Sequence, residues 1–152
     1  MSCLTQRNAI AVICPFHRNE ETIIRAAKSI FSQSFLPKEV IFVDDNSPDR
    51  SLDLLREYLS NLSSKVSVQV ISIKHSGPGH ARNIGIAKSS AEWISFLDAD
   101  DYWLPNKLQN TIQIIHANKD INFISHEEYV VNNLIIKNSK LSRYFNPSIT
   151  IS

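Results

Sequence analysis

Glycine is scarce in this chain, with three residues in 152, all between positions 77 and 85. Neither GxxxxGK[ST] nor a GxGxxG after the first apolar run occurs, so the ATPase P-loop and the dinucleotide fingerprint are both missing. Cysteine is scarcer still. Cys3 and Cys14 lack metal-ligand spacing, and Cys14 sits in an apolar run where a free thiol behaves as a small hydrophobe, as in a reducing cytoplasm. No GxSxG elbow is present, which removes support for covalent hydrolase chemistry. The histidines at 17, 75, 80, 116 and 126 show no HExxH spacing and read as surface or hydrogen-bonding side chains. No apolar run approaches the ~20 residues that span a bilayer, and the N-terminal stretch, cut by Pro15, is not a signal peptide. Charge of one sign is lacking too. Lys+Arg 16 against Asp+Glu 15 leaves a formal +1, which argues against nucleic acid as a partner. Any recognition of phosphate must therefore be local.

What remains is a chain with 43% hydrophobic residues, enough to bury the core of one domain. Ala9–Cys14 is a short β-branched apolar run, the pattern of a strand buried on both faces. From Glu20 the apolar positions Ile23, Ile24, Ala27, Ile30 and Phe31 draw a helical stripe that Pro37 closes. Val40–Val43 predicts a second strand, and Leu52, Leu55, Tyr58, Leu59 and Leu62 a second helix, with Asp49 and Ser51 as candidate caps. Val66–Ile73 reads as a third strand, 79–88 as a third helix and Trp93–Leu97 as a fourth strand. Pro105 suits the first turn of a fourth helix carrying Leu108, Ile112 and Ile115, and Ile121–Ile124 follows as a short fifth strand. From about Asn132 an Asn/Ser/Lys-rich sequence shows no clear element. The organisation expected is a tail at 1–8, a domain at 9–131, and a poorly defined segment at 132–152.

Strands alternating with helices of this length require crossovers, so the class is α/β with a mostly parallel central sheet flanked by helices. Ligands of such sheets lie beyond the carboxyl ends of the strands. The polar clusters fall there: Pro15–Glu20, Asp44-Asp45-Asn46-Ser47, and Asp98-Ala99-Asp100-Asp101. Three carboxylates after an apolar strand are costly without a cation, and Mg2+ or Mn2+ prefers such oxygen ligands. Taken alone, each acidic cluster reads equally as a solvated turn leading into a helix. Their places at strand ends of one parallel sheet open both onto the same crevice. The segment His75–Gly85 holds every glycine; a Gly-rich turn at a helix N-terminus offers N–H groups and a dipole to an anion, with Arg82 as a cation, or else serves close packing through Gly85.

In this order Ala11–Glu20, Val43–Asp49, Gly77–Gly85 and Phe96–Asp101, with the Tyr102–Leu108 continuation, resemble the family 2 glycosyltransferases of the GT-A fold. The resemblance covers about residues 9–116. It implies a Rossmann-like nucleotide-sugar-binding domain in which Pro15 and His17 border the base, Asp44 accepts a hydrogen bond from it, and Arg82 lies near base or phosphate. Glu20, Asp45 and Ala99 join that donor site. Asp98 would meet ribose and metal region, and Asp100 would ligate Mn2+ or Mg2+ with Asp101 in support. The implied activity is inverting transfer of a sugar from a nucleotide-diphosphate sugar to an acceptor hydroxyl, in surface polysaccharide or lipopolysaccharide biosynthesis. The acceptor would be a glycan or lipid-linked, the protein cytoplasmic or peripherally associated with the inner face of the membrane. His17-Arg18 stands where the family usually shows Tyr-Asn, His75 where Asn is common and Ala91 where Gly is common. The carboxylate general base is expected beyond Ser152, while His126, Glu127 and Glu128 read equally as a solvated strand end. The alternative reading is a truncated, catalytically incomplete nucleotide-sugar-binding module. A sugar-nucleotide pyrophosphorylase would need a Gly-rich basic loop after the first strand, and Pro15–Asn19 has no glycine.

Overall fold

The computed structural model of the chain describes residues 9–118, 120–124, 128–132 and 135–139. The chain divides into two compact units, Met1–Gln109 and Asn110–Ser152. The first unit runs β1 (Ile10–Phe16), α1 (Ile23–Phe31), β2 (Glu39–Asp44), α2 (Ser51–Ser60), β3 (Ser67–Ser72), α3 (Pro78–Lys88) and β4 (Trp93–Phe96), with α4 (Lys107–Ala117) crossing the division. The sheet order is β3-β2-β1-β4, every pairing parallel. This is the expected α/β class. Strands β1 and β2 are buried along their whole length, because their apolar runs face covered layers on both sides. Edge strand β3 is only partly buried and carries Gln69 and two terminal serines.

On one face of the sheet Ile13, Ile41 and Val43 pack with Ala81 of α3, joined by Ile71, Ile73, Ile84 and Ile94. Strand alternation turns Val12, Cys14, Val40 and Phe42 to the opposite face, where they too are fully buried. Gly85 sets how closely α3 approaches. A Cβ there would run into the Ile13 side chain, with Cδ1 and Cγ1 both at 3.2 Å and Cγ2 closer. Gly85→Ala is therefore expected to cost about 1–2 kcal/mol on chemical denaturation, overpacking at Ile13 outweighing the better helix propensity of alanine. Unchanged or raised stability would show that α3 can move away without loss.

Several local expectations are corrected. Strand β1 runs on through Pro15 and Phe16 instead of ending at Cys14. Ile13 O accepts the Leu97 N–H on the β4 side, and Pro15 shares that orientation just where β4 has ended, so its missing N–H forfeits no ladder bond. Neither Asp49 nor Ser51 is the N-cap of α2; Arg50 is, although Asp49 Oδ1 accepts from the Ser51 N–H at 3.1 Å. Pro105 lies two residues before α4, its carbonyl accepting from Ser34 N–H. In the second unit Ile121–Ile124 is not a strand: only Ile124 makes an isolated bridge. The strands there are β5 (Glu128–Asn132) and β6 (Ile135–Ser139), paired antiparallel, the latter within the segment where the sequence shows no clear element. Cys3, His126 and Glu127 lie outside the described residues. Among the described residues no helix is long and apolar enough to cross a membrane.

Candidate active site at the carboxyl ends of the strands

Three loops leave the sheet side by side, because β2 and β4 flank β1. The turn after β1 is held open by side chains rather than by glycine. Arg18 adopts φ 59°, a left-handed conformation uncommon outside glycine. Around it His17 N–H donates to Asn19 Oδ1 at 2.9 Å and Asn19 N–H to Ser51 Oγ at 2.8 Å. Glu20 N–H donates to Asp49 Oδ2 at 3.2 Å, and Glu20 Oε2 accepts from Arg50 N–H at 3.1 Å, so Glu20 ties this loop to the start of α2. Burial raises the pKa of Asp49, but hydrogen bonds from the Ser51 hydroxyl and nearby N–H groups bring it below the ordinary value. Between Arg18–Thr22, Asp49 and Asp100 lies an open, polar cavity of about 280 Å³.

The two aspartates after β2 do different work. Asp44 ends the strand, and its Oδ1 accepts from Ser47 N–H at 2.8 Å, closing a turn in which Asn46 sits at φ 58°. Asp45, 2% exposed, reaches across to the glycine loop: Ser76 N–H donates to Oδ1 at 2.7 Å and Gly77 N–H to Oδ2 at 2.9 Å. His75 Nδ1 lies 2.9 Å from Oδ2. Burial pushes the Asp45 pKa up, yet the Ser76 and Gly77 N–H groups and His75 hold it below the usual range. Gly77 itself needs its lack of a side chain, with φ 89° at the N-cap of α3, directly before Pro78 at the first helical position.

The acidic turn after β4 is braced from two sides. Asp101 N–H donates to Asp98 O at 3.0 Å, and Ala99 is buried while Asp100 and Asp101 are exposed. Arg82, on α3, pairs through Nη2 with Asp98 Oδ1, joining the glycine loop's helix to the acidic turn. From α1, Arg25 Nη2 donates to Asp100 O at 2.6 Å and lies over the Tyr102 ring. Residues four and eight further on continue the brace: Ser29 Oγ accepts from Trp103 N–H at 3.1 Å, and Gln33 donates to Leu104 O at 2.8 Å while accepting from Leu108 N–H at 2.9 Å. The Cys14 thiol, buried below, is pushed far above its ordinary pKa, first by burial and then by the charges of Asp98 and Asp100. Arg82 thus neutralises Asp98, while Asp100 is exposed.

Sequence reasoning missed the bracing stripe Arg25, Ser29 and Gln33, and it missed Lys107. That amine bonds Ser95 Oγ and lies 4.0 Å from the Trp103 ring centroid, yet burial drives its pKa down to about 7. Because the unfolded chain binds this proton more tightly, folding stability should rise as pH increases from about 7 towards 10. In Lys107→Met that rise should shrink by roughly 2–4 kcal/mol, read from denaturation midpoints across the pH series. An identical slope in both proteins would show that Lys107 stays charged in the fold. Reasoning by local spacing also missed that His17 and His75 stack, ring centroids 4.5 Å apart, with both Nδ1 atoms near Asp45 O. Both follow strands of one parallel sheet, which was the available signal.

This geometry can be set beside known proteins. The model of the family described as Glycosyl transferase family 2 matches residues 11–151. The chain belongs to glycosyl transferase family 2. An uncharacterized glycosyltransferase of Nostoc sp. is 30% identical over 124 residues, 82% of this chain and 38% of the relative. The poly(ribitol-phosphate) β-N-acetylglucosaminyltransferase TarS of Staphylococcus aureus is 36% identical over 95 residues, 60% of this chain and 16% of TarS. The structure of TarS 1–349 in complex with UDP-GlcNAc matches with TM-score 0.66 and 30% identity, over 74% of this chain and 33% of that one. The mannosyltransferase PcManGT of Pyrobaculum calidifontis, solved with GDP-Man and Mn2+, shares the fold at TM-score 0.67 and 22% identity, over 74% and 33%. The chain spans well under half the length of these relatives.

At the acidic turn the chain offers carboxylate oxygens, the donor type that a hard divalent ion takes. Arg82 engages Asp98 and Asp100 is exposed, while among the described residues the three side chains whose donor atoms gather closely enough for one ion are His17, Asp45 and His75.

Proposed function

We propose that residues 9–131 form the nucleotide-sugar-binding portion of an inverting, metal-assisted glycosyltransferase. It would pass a sugar from a nucleotide-diphosphate sugar to a hydroxyl of a glycan or lipid-linked acceptor, in the assembly of a surface polysaccharide or lipopolysaccharide. The observation that carries this reading is the Arg82–Asp98 pair. It places Arg82 of α3, a cation suited to phosphate oxygens, directly beside an acidic turn whose carboxylates suit a cation. A nucleoside diphosphate with its divalent ion satisfies both at once.

In this reading Pro15 and His17 border the base, His17 offering an imidazole face where a larger ring is usual, and Asp44 and Asp45 shape the base end. Glu20 keeps the loop after β1 in place through Asp49 and Arg50. Arg82, Asp98 and Ala99 lie towards ribose and diphosphate, and Asp100, with Asp98 and Asp101, would hold Mn2+ or Mg2+. That ion, when bound, supplies charge stabilisation for the departing nucleoside diphosphate. The acceptor oxygen bonds to the anomeric carbon as the carbon–phosphate-oxygen bond breaks on the opposite face, which inverts the centre, and the hydroxyl proton passes to a base. A peripheral place at the inner face of the membrane would suit a lipid-linked acceptor.

The test is calorimetric titration of the chain with UDP and GDP, with and without Mn2+, followed by assay of donor hydrolysis. Metal-strengthened binding with turnover supports the transferase, and metal-strengthened binding without turnover supports a donor-binding module. Absence of nucleotide binding under both conditions would refute the reading.

A further inference from the structure

We propose that His17, Asp45 and His75 form a second cation site, selective for a borderline transition ion such as Zn2+, and that an ion there excludes the nucleotide base. The exclusion rests on the donor-binding reading above; the ion site does not. One donor atom from each of these three side chains lies within 4.8 Å of the other two. His75 Nδ1 and Asp45 Oδ2 are already 2.9 Å apart, close to the ~3.3 Å between two ligands of a tetrahedral ion with bonds of about 2.0–2.1 Å. His17 Nδ1 points to the same residue, 2.9 Å from Asp45 O. A small rotation of the two rings, with their protons on Nε2, gathers three donors around one point.

The surroundings are those of a supported site. Ser76 and Gly77 N–H groups fix the Asp45 carboxylate, and Asn19 Oδ1 holds His17 by its backbone. Such outer partners orient ligands and raise affinity. The His75 side chain is 58% exposed, which leaves an entry path and a fourth position for water. Chemistry separates this site from the acidic turn. Two imidazoles and one carboxylate suit Zn2+, whereas Asp98, Asp100 and Asp101 offer only oxygen and suit Mg2+ or Mn2+. Because His17 is the ring proposed to border the base, drawing it onto an ion at Asp45 removes the surface the base would use.

The experiment titrates ZnCl2 alone into the chain in a non-chelating buffer, and follows Co2+ as a spectroscopic substitute through its visible ligand-field bands. Wild type is expected to bind one Zn2+. His75→Gln and His17→Gln should each weaken it by roughly 10- to 100-fold or more and remove the Co2+ bands, while Asp100→Ala changes neither. His75, being exposed, can be replaced without disturbing the core, and circular dichroism verifies the fold of each variant. No Zn2+ binding, binding indifferent to His75→Gln, or binding lost in Asp100→Ala overturns the site. Saturating Zn2+ should also raise the apparent Kd for UDP in wild type but not in His75→Gln, and UDP affinity indifferent to Zn2+ overturns the exclusion. Should UDP fail to bind at all, the Zn2+ titration still reads the ion site, and only the donor-binding reading falls.

Discussion

In an Asp100→Ala variant Mn2+ should no longer strengthen the binding of a nucleoside diphosphate, and any sugar transfer by a chain carrying the change should fall roughly 1000-fold. Asp100 is the carboxylate of the acidic turn whose removal separates ligand from scaffold. Asp98 is engaged by Arg82, so its loss would also free the α3 cation. At Asp100 the scaffold bond is made by the backbone carbonyl, which Arg25 holds at 2.6 Å and which alanine keeps. The variant should therefore melt within about 1 kcal/mol of wild type while losing the metal effect, since exposed substitutions away from special contacts cost little. Calorimetry with UDP, with and without Mn2+, reads this directly. An unchanged gain from Mn2+ would remove Asp100 from the ligand set.

Asp45→Ala is expected to be the most destabilising single change in the crevice, by about 3 kcal/mol on denaturation. Its carboxylate is buried and accepts from two backbone N–H groups at the start of α3, at 2.7 and 2.9 Å. Alanine leaves both donors without that acceptor, each loss costing about 1–3 kcal/mol, offset in part by water reaching the loop. The glycine loop should then loosen and carry Arg82 away from Asp98, weakening nucleotide binding as well. Asp45→Asn keeps one carbonyl acceptor and should fall between the two. A fully stable alanine variant would show that Pro78 and the α3 backbone hold the loop unaided.

The β-branched runs at Ala9–Cys14 and Val40–Val43 and the helical stripe at Ile23–Phe31 made the parallel α/β class legible, because both burial and period are written into local sequence. From that class, the shared edge of the acidic clusters followed without coordinates. The extension of β1 through Pro15 was not legible, since a proline reads as a strand end unless it is known that its neighbour strand has already stopped. Ile121–Ile124 has a strand's composition, yet strand pairing is a property of partners, and only Ile124 makes a bridge. The β5–β6 pair carries only the short apolar runs Tyr129–Val131 and Ile135–Ile136, which do not alternate with polar residues and so lack the period that marks a strand. In the site, Asp98–Asp101 and Gly77–Gly85 announced themselves by local density of carboxylates and glycines. The grouping of His17 with His75, 58 positions apart, and the bracing of the acidic turn by Arg25, Ser29 and Gln33 are long-range, and no local spacing encodes them.

In the proposed function the turn at Asp98–Asp101 would hold a divalent ion against the diphosphate of a nucleotide lying beside Arg82 of α3. The most direct measurement is anomalous scattering from a crystal of the chain grown with UDP and Mn2+. One Mn2+ peak is expected at about 2.1 Å from a carboxylate oxygen of Asp100, with diphosphate oxygens among its other ligands. UDP bound with no Mn2+ peak at that turn, or with Mn2+ seated on His17 and His75 instead, would contradict it.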